Sequence, residues 1–170
     1  MLLTWINSQI STVSLYKEIK NKYMESFVKY KREINNSVSV KTSISGVRTI
    51  YKALKDKKVI CFAADQVPKR GLGEHIKFYN KMAYTTTLVQ NLASKTNCPV
   101  IYLCMNSNIN GFLSVSIKPC SDDIYDNSKH LQLVNKDIEK LINRRPIDYS
   151  WEYKRFKRSL PEEENLYSGI

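Results

Sequence analysis

Glycine is scarce, at 5 in 170 residues, and so are proline at 5 and histidine at 2. So few glycines leave little room for a loop that cradles phosphate, and no GxSxG, GxGxxG or GxxxxGK[ST] pattern occurs. This argues against nucleotide-dependent chemistry. The four cysteines, Cys61, Cys98, Cys104 and Cys120, show no CxxC spacing, and two lie inside apolar runs. They read as free thiols in a reducing compartment. Long apolar runs are missing as well. The longest, at residues 59–64 and 100–105, are about six residues each, against roughly 20 for a bilayer crossing. No membrane span is expected. The opening MLLTWINSQI has no basic start and no extended apolar core, so it does not read as a secretory signal.

What is present suits a packed protein. With 42% hydrophobic, 11% aromatic and 25% charged residues, the chain can bury enough surface to offset its ordering entropy. The length fits a single domain over residues 1–170. Acidic side chains are few in the first half, where residues 1–83 hold 16 Lys and Arg against 6 Asp and Glu; residues 84–170 hold 11 against 10. A field concentrated in this way attracts nucleic acid, anionic lipid or an acidic protein, and composition does not choose among them.

Periodicity supplies the elements. Tyr16, Ile19, Tyr23, Phe27, Tyr30 and Ile34 recur at three- and four-residue steps, predicting a helix over 16–34 with one apolar stripe. The polar stretch 35–42 breaks it, and a second helix follows from Ile44, ending in Lys55, Lys57 and Lys58. Residues 59–64 read as a strand covered on both faces that ends at Asp65. Residues 66–74 form a loop, 76–79 a short strand, and 83–95 a helix capped within Thr85, Thr86 and Thr87. Residues 100–105 and 112–117 pair as a hairpin, and a last helix spans about 128–143, ending before Pro146. Alternating strands and helices predict an α/β fold, a central mixed sheet flanked by helices. Trp5, Ile6 and Ile10 are apolar with nothing before them to pack on, so the chain is expected to begin inside a larger fold.

Candidate chemistry is sparse. Five residues after His75 stands Asn80, and five after His130 stands Asn135, so neither histidine has a carboxylate at that spacing; both read as structural. Asp122, Asp123 and Asp126 lack the later glycine and glutamate of a calcium loop and read as a solvated turn. No metal or cofactor is expected. Asp65, directly after an apolar strand, either faces the crevice where open α/β sheets take ligands or caps a turn. In the C-terminal segment Trp151, Tyr153 and Phe156 interleave with Lys154, Arg155, Lys157 and Arg158. That pattern serves either as a stacking platform on single-stranded nucleic acid or an anionic membrane, or as a packed aromatic end with a basic solvent face.

Several segments in one order resemble the late acyltransferases of lipid A biosynthesis. Residues 13–17 (VSLYK) with Lys20 and Asn21 are similar to that family's "VYR..KN" stretch, and residues 50–56 (IYKALKD) to its "KALK.G" helix end. Ala64, Asp65 and Gln66 stand where the family has "PDQ" or "PDH". Phe78, Tyr79 and Asn80 stand for "FFG", and residues 83–87 (AYTTT) for "AATTT". Residues 149–157 (YSWEYKRFK) are similar to the closing "Y.W.hrRFK" signature. The resemblance covers nearly the whole chain. It also has departures. The family's His-x-x-x-x-Asp/Glu motif lies before the "VYR" stretch, where this sequence has about a dozen residues and no histidine.

The resemblance implies a glycerolipid-acyltransferase-like α/β fold truncated at the N-terminus, without the family's membrane helix. It implies transfer of a fatty acyl group from acyl carrier protein to a lipid A precursor, at the cytoplasmic face of the bacterial inner membrane. Arg32 and Asp65 would bind substrate at the rim, with no catalytic residue supplied by these residues themselves. A separate N-terminal half would bring the missing histidine, the region of Trp5 and Ile6 being its interface. An anionic membrane surface is a further implied partner. The alternative from another class is a small basic nucleic-acid-binding α/β domain.

Overall fold

The computed structural model describes residues 2–126, 130–158, 160 and 166–167. Its contacts divide the chain into two compact units, Met1–Ala63 and Ala64–Ile170.

The first unit opens with helix α1 (Leu2–Gln9), which the sequence reading did not foresee. Ile6 and Asn7 of α1 are buried, while Trp5 and Ile10 remain exposed. Strand β1 (Thr12–Tyr16), helix α2 (Lys22–Arg32), strand β2 (Val38–Lys41), helix α3 (Ile44–Lys55) and strand β3 (Val59–Cys61) follow. The three strands form a parallel sheet in the order β2-β1-β3, with α2 and α3 as its crossovers. Lying in the middle, β1 is buried at every position but Leu15.

The helix expected over 16–34 therefore shortens to α2. Tyr16 belongs to β1, and Asn21 supplies the N-cap, its side chain accepting from the amides of Tyr23 and Met24. The 35–42 stretch is a turn followed by β2. Asn35 and Asn36 take positive φ of 50° and 58°, which asparagine tolerates, and Val38 and Val40 then alternate with Ser39 and Lys41. The first turn of α3 lies so close to β2 that a Cβ on Gly46 would collide with the Lys41 carbonyl. Only glycine fits there.

The second unit begins with a turn at Ala64 and Asp65. Strands β4 (Gly73–Phe78) and β5 (Lys81–Thr86) form an antiparallel hairpin. Residues 83–86, expected in a helix, are thus a strand, and helix α4 (Leu88–Thr96) starts only afterwards. Strands β6 (Ile101–Ser107) and β7 (Leu113–Pro119) make the expected hairpin. A 3-10 turn (Asp122–Tyr125), capped by Ser121, precedes helix α5 (His130–Arg144). The start expected for α5 near Ser128 lies outside the described residues. The α/β class holds, and the hydrogen-bonded strands make three small sheets among the described residues rather than one central sheet.

The core of the second unit gathers Phe78, Ala83, Ala93, Ile124, Val134, Ile138 and Ile142. On α5 the buried positions His130, Val134, Asn135, Ile138 and Ile142 repeat at helical spacing, so one face closes over the β4–β5 hairpin. That hairpin turns through Tyr79 and Asn80 at φ 48° and 63°. A two-residue turn with both φ positive favours Gly, Asn or Asp, so Asn80 meets the demand that glycine would meet. Tyr79 is held there from α5: its amide donates to Glu139 Oε1 at 2.8 Å and its hydroxyl to Asn143 Oδ1 at 2.7 Å.

Candidate functional site

In the first unit the "VYR..KN" landmark builds an open groove of about 500 Å³ lined by Glu18, Ile19, Lys20, Lys22, Glu25, Ser26 and Lys41. It forms because β1 ends at Tyr16 and the chain turns out before Asn21 starts α2. Lys41 of β2 is committed to its floor, with Nζ 2.6 Å from Glu18 Oε1 and 3.9 Å from Glu25 Oε1. The hydrogen bond to Glu18 holds the Lys41 ammonium above the usual lysine range. Tyr16 donates its hydroxyl to Glu25 Oε1 at 2.9 Å, and burial followed by that bond pushes the phenol up. Lys20 and Lys22 form no ion pair among the described residues. Two unengaged ammonium groups beside a capped helix N-terminus suit a phosphate or carboxylate. Sequence reasoning missed this groove, because the Glu18–Lys41 pair joins residues 23 apart.

Arg32 stands in the last turn of α2, half-buried. Its carbonyl accepts from Asn7 Nδ2 at 2.5 Å, and its guanidinium has no hydrogen bond or ion pair among the described residues. Asn7 Oδ1 in turn accepts from the Thr12 hydroxyl at 2.7 Å, and the Thr12 amide donates to Ser37 Oγ at 3.0 Å. A buried polar chain thus holds the C-terminal end of α2 to α1 and β1.

Asp65 belongs to the second unit. It does not follow a strand directly, since β3 stops at Cys61 and three residues intervene. In that unit four of the landmark segments converge on Arg155. This guanidinium, 3% exposed, donates from Nη1 to the Tyr84 carbonyl at 2.9 Å and from Nη2 to the Thr85 hydroxyl at 2.7 Å. It lies over the Phe78 ring, 5.1 Å from the centroid. Thr85, fully buried, also receives Asn135 Nδ2 at 3.2 Å and donates to the Ala83 carbonyl at 3.0 Å. Burial lowers the Arg155 pKa from the ordinary arginine value, with Tyr149 and Asp65 opposing. Burial likewise raises the Asp65 carboxyl above the usual carboxylate range, against a bond from its own backbone and the Arg155 charge. Tyr149, whose buried hydroxyl has no hydrogen-bond partner among the described residues, is pushed up to about 12 by burial first and by Asp65 second.

This cation is sealed from solvent, with one hydrogen bond from each Nη and none from Nε among the described residues. Arg155 positions its neighbours and touches no ligand, whereas half-buried Asp65 is the acid in this cluster that remains reachable. The aromatic-basic segment is correspondingly built inward. Phe156 packs beside Phe78 with centroids 6.1 Å apart, and Arg158 Nη1 donates to the Pro68 carbonyl. Lys157 sits 4.4 Å from the Tyr153 ring, and the Tyr153 hydroxyl accepts from the Val67 amide at 2.8 Å. Trp151 stays 57% exposed, its Nε1 donating to the Pro146 carbonyl at 2.8 Å and its ring meeting Tyr149 edge-on at 4.9 Å.

His75 Nε2 bonds the Arg158 carbonyl and His130 Nδ1 the Asp126 carbonyl, each at 2.9 Å, which are structural uses. The four cysteines are free, and burial pushes the Cys61, Cys104 and Cys120 thiols up. Among the described residues no helix is long and apolar enough to cross a membrane.

The landmark segments thus build a groove of mixed charge in one unit and a buried arginine hub in the other. A family model described as bacterial lipid A biosynthesis acyltransferase matches residues 1–158, and the chain belongs to that family. A search of curated proteins finds no match.

Proposed function

We propose that the chain takes part in transferring a fatty acyl group from the thioester of acyl carrier protein to a hydroxyl of a lipid A precursor. The observation that carries this reading is the family match over residues 1–158. In such a transfer a base removes the hydroxyl proton, the alkoxide attacks the thioester, and the oxyanion that forms is held by positive donors until the thiol leaves. Arg32, whose guanidinium has no hydrogen bond or ion pair among the described residues, is assigned to a phosphate of the acceptor or to the oxyanion, which its planar fork can meet bidentately. The groove with Lys20 and Lys22 is assigned to a further acidic group of donor or acceptor. Asp65, holding its proton above the usual range, is assigned to a hydrogen bond with substrate.

The sequence holds no His-x-x-x-x-Asp/Glu pair, and we propose that the base acts from residues outside this sequence. The working place of the assembly is the cytoplasmic face of the bacterial inner membrane, bound peripherally. The test is acyl transfer from acyl carrier protein to a lipid A precursor, with the chain alone and with a polypeptide bearing that pair. The chain alone should be slower than the pair by about 10² to 10⁴, the usual worth of general base catalysis. Absence of transfer with every such partner overturns the reading.

A further inference from the structure

Helix α2 buries none of its residues. Tyr23, Phe27 and Tyr30, spaced to share one face, are 89%, 57% and 73% exposed, and neighbouring Met24 is 52% exposed. The apolar stripe read from the sequence thus exists and points outward. Lys31 edges that face, its ammonium 5.8 Å from the Phe27 centroid and 5.7 Å from the Tyr30 centroid. Lys22, Lys29 and Arg32 add to the charge of the same helix. Its single acid within the first turn, Glu25, is turned toward Tyr16 and Lys41 and already matched there. An outward face of aromatic rings bordered by long cations is the chemistry of a helix lying in a bilayer interface, where the rings enter the headgroup region and the ammonium groups reach lipid phosphates. Rings and cations on one face complement a surface that is anionic at its headgroups and apolar beneath them.

We propose that α2 is the element that docks on an anionic membrane surface, with Tyr23, Phe27 and Tyr30 at the boundary between headgroups and acyl chains and with Lys29 and Lys31 against phosphates. This rests on the peripheral placement proposed above and names the residues responsible for it. Both Tyr and Lys side chains suit the contact, since each carries an apolar body and a polar tip.

The test is co-sedimentation of the full chain with vesicles of equimolar phosphatidylglycerol and phosphatidylcholine, and with phosphatidylcholine alone. The wild type should bind the anionic vesicles and bind the neutral ones weakly. The double variant F27S and Y30S should lose at least about tenfold in partitioning to anionic vesicles. A second double variant, K29Q and K31Q, should lose about tenfold or more on anionic vesicles with little change on neutral ones. Because all four side chains lie at the surface, circular dichroism melts of both variants should match the wild type. If both variants bind anionic vesicles as the wild type does, the assignment to α2 is overturned while the membrane placement stands. If the wild type itself ignores anionic vesicles, both fall. Loss of binding to acyl carrier protein in the variants, with vesicle binding intact, gives the face to an acidic protein and overturns the proposal. Acyl transfer is scored separately, so none of these outcomes decides the enzymatic reading.

Discussion

The two units solve the same problem of burial with different materials. In the first, a thin parallel sheet has buried polar residues at its centre: Asn7, Thr12, Ser14 and Ser37 lie beside Ile6, Val13, Tyr16, Ile50 and Ala53. Its order comes from directed hydrogen bonds, Asn7 to the Arg32 carbonyl and Thr12 to Asn7 and Ser37. In the second, a wider apolar cluster closes around one cation, Arg155, stacked on Phe78. Both units bury hydrogen-bonded polar groups, and the second adds the larger apolar cluster. The lesson is that losing a hydrogen-bonding group should hurt the first unit most, and losing bulk the second.

Tryptophan lets that contrast be tested inside the intact chain, because Trp5 lies in one unit and Trp151 in the other. Fluorescence of the W5F background reports unfolding of the second unit, and that of W151F reports the first. The largest effect is expected for Phe78→Ala, which empties the fully buried centre of the second unit and removes the ring beneath Arg155. It should cost about 3–5 kcal/mol by the Trp151 signal and leave the Trp5 transition in place. If both transitions fall together, the two units do not differ as described. Asn7→Leu comes next. The substitution keeps the bulk but strands the Thr12 hydroxyl and the Arg32 carbonyl, at a cost of about 2–3 kcal/mol in the Trp5 signal. A neutral result would show that volume rules the first unit as well.

The smallest effect sharpens the electrostatic side of the comparison. Asp65 has its carboxyl raised above the ordinary range by burial. A folded-state pKa above the unfolded one favours the folded state while pH is below the ordinary Asp value, and that advantage is lost as pH rises through the raised one. Asp65→Asn should therefore stabilise the second unit relative to wild type at neutral pH, with the gap closing in acid. Denaturant midpoints of the Trp151 signal across that pH range check it. A gap that does not change with pH would mean that the fold does not raise the carboxyl.

The long periodic elements were legible in the sequence. Helix α3 begins where Ile44 placed it and stops at Lys55, short of Lys57 and Lys58, and the β6–β7 hairpin and most of α5 follow from their own patterns. What failed was short or conditional. Strand β2 has four residues, too few for alternation to show against its polar surroundings. The threonines of β5 also suit a helix cap, so the strand reads as a helix start, and the Tyr79–Asn80 turn carries no glycine to announce a hairpin. Among site residues, Asp65 was visible as a lone acid after an apolar run. Arg155 was not, since a chain of mixed cations looks the same whether one of them is buried or none. Its burial is decided by Thr85 and Tyr84, some 70 residues earlier.

That separation has a consequence for synthesis on the ribosome. The Tyr84 carbonyl and the Thr85 hydroxyl emerge long before the guanidinium that satisfies them. The parallel sheet, by contrast, is complete once Cys61 has appeared. The leading portion of the nascent chain can settle while the trailing portion still waits for its final ion, and a stall anywhere between Thr85 and Arg155 leaves an unfinished interior exposed to chaperones and proteases.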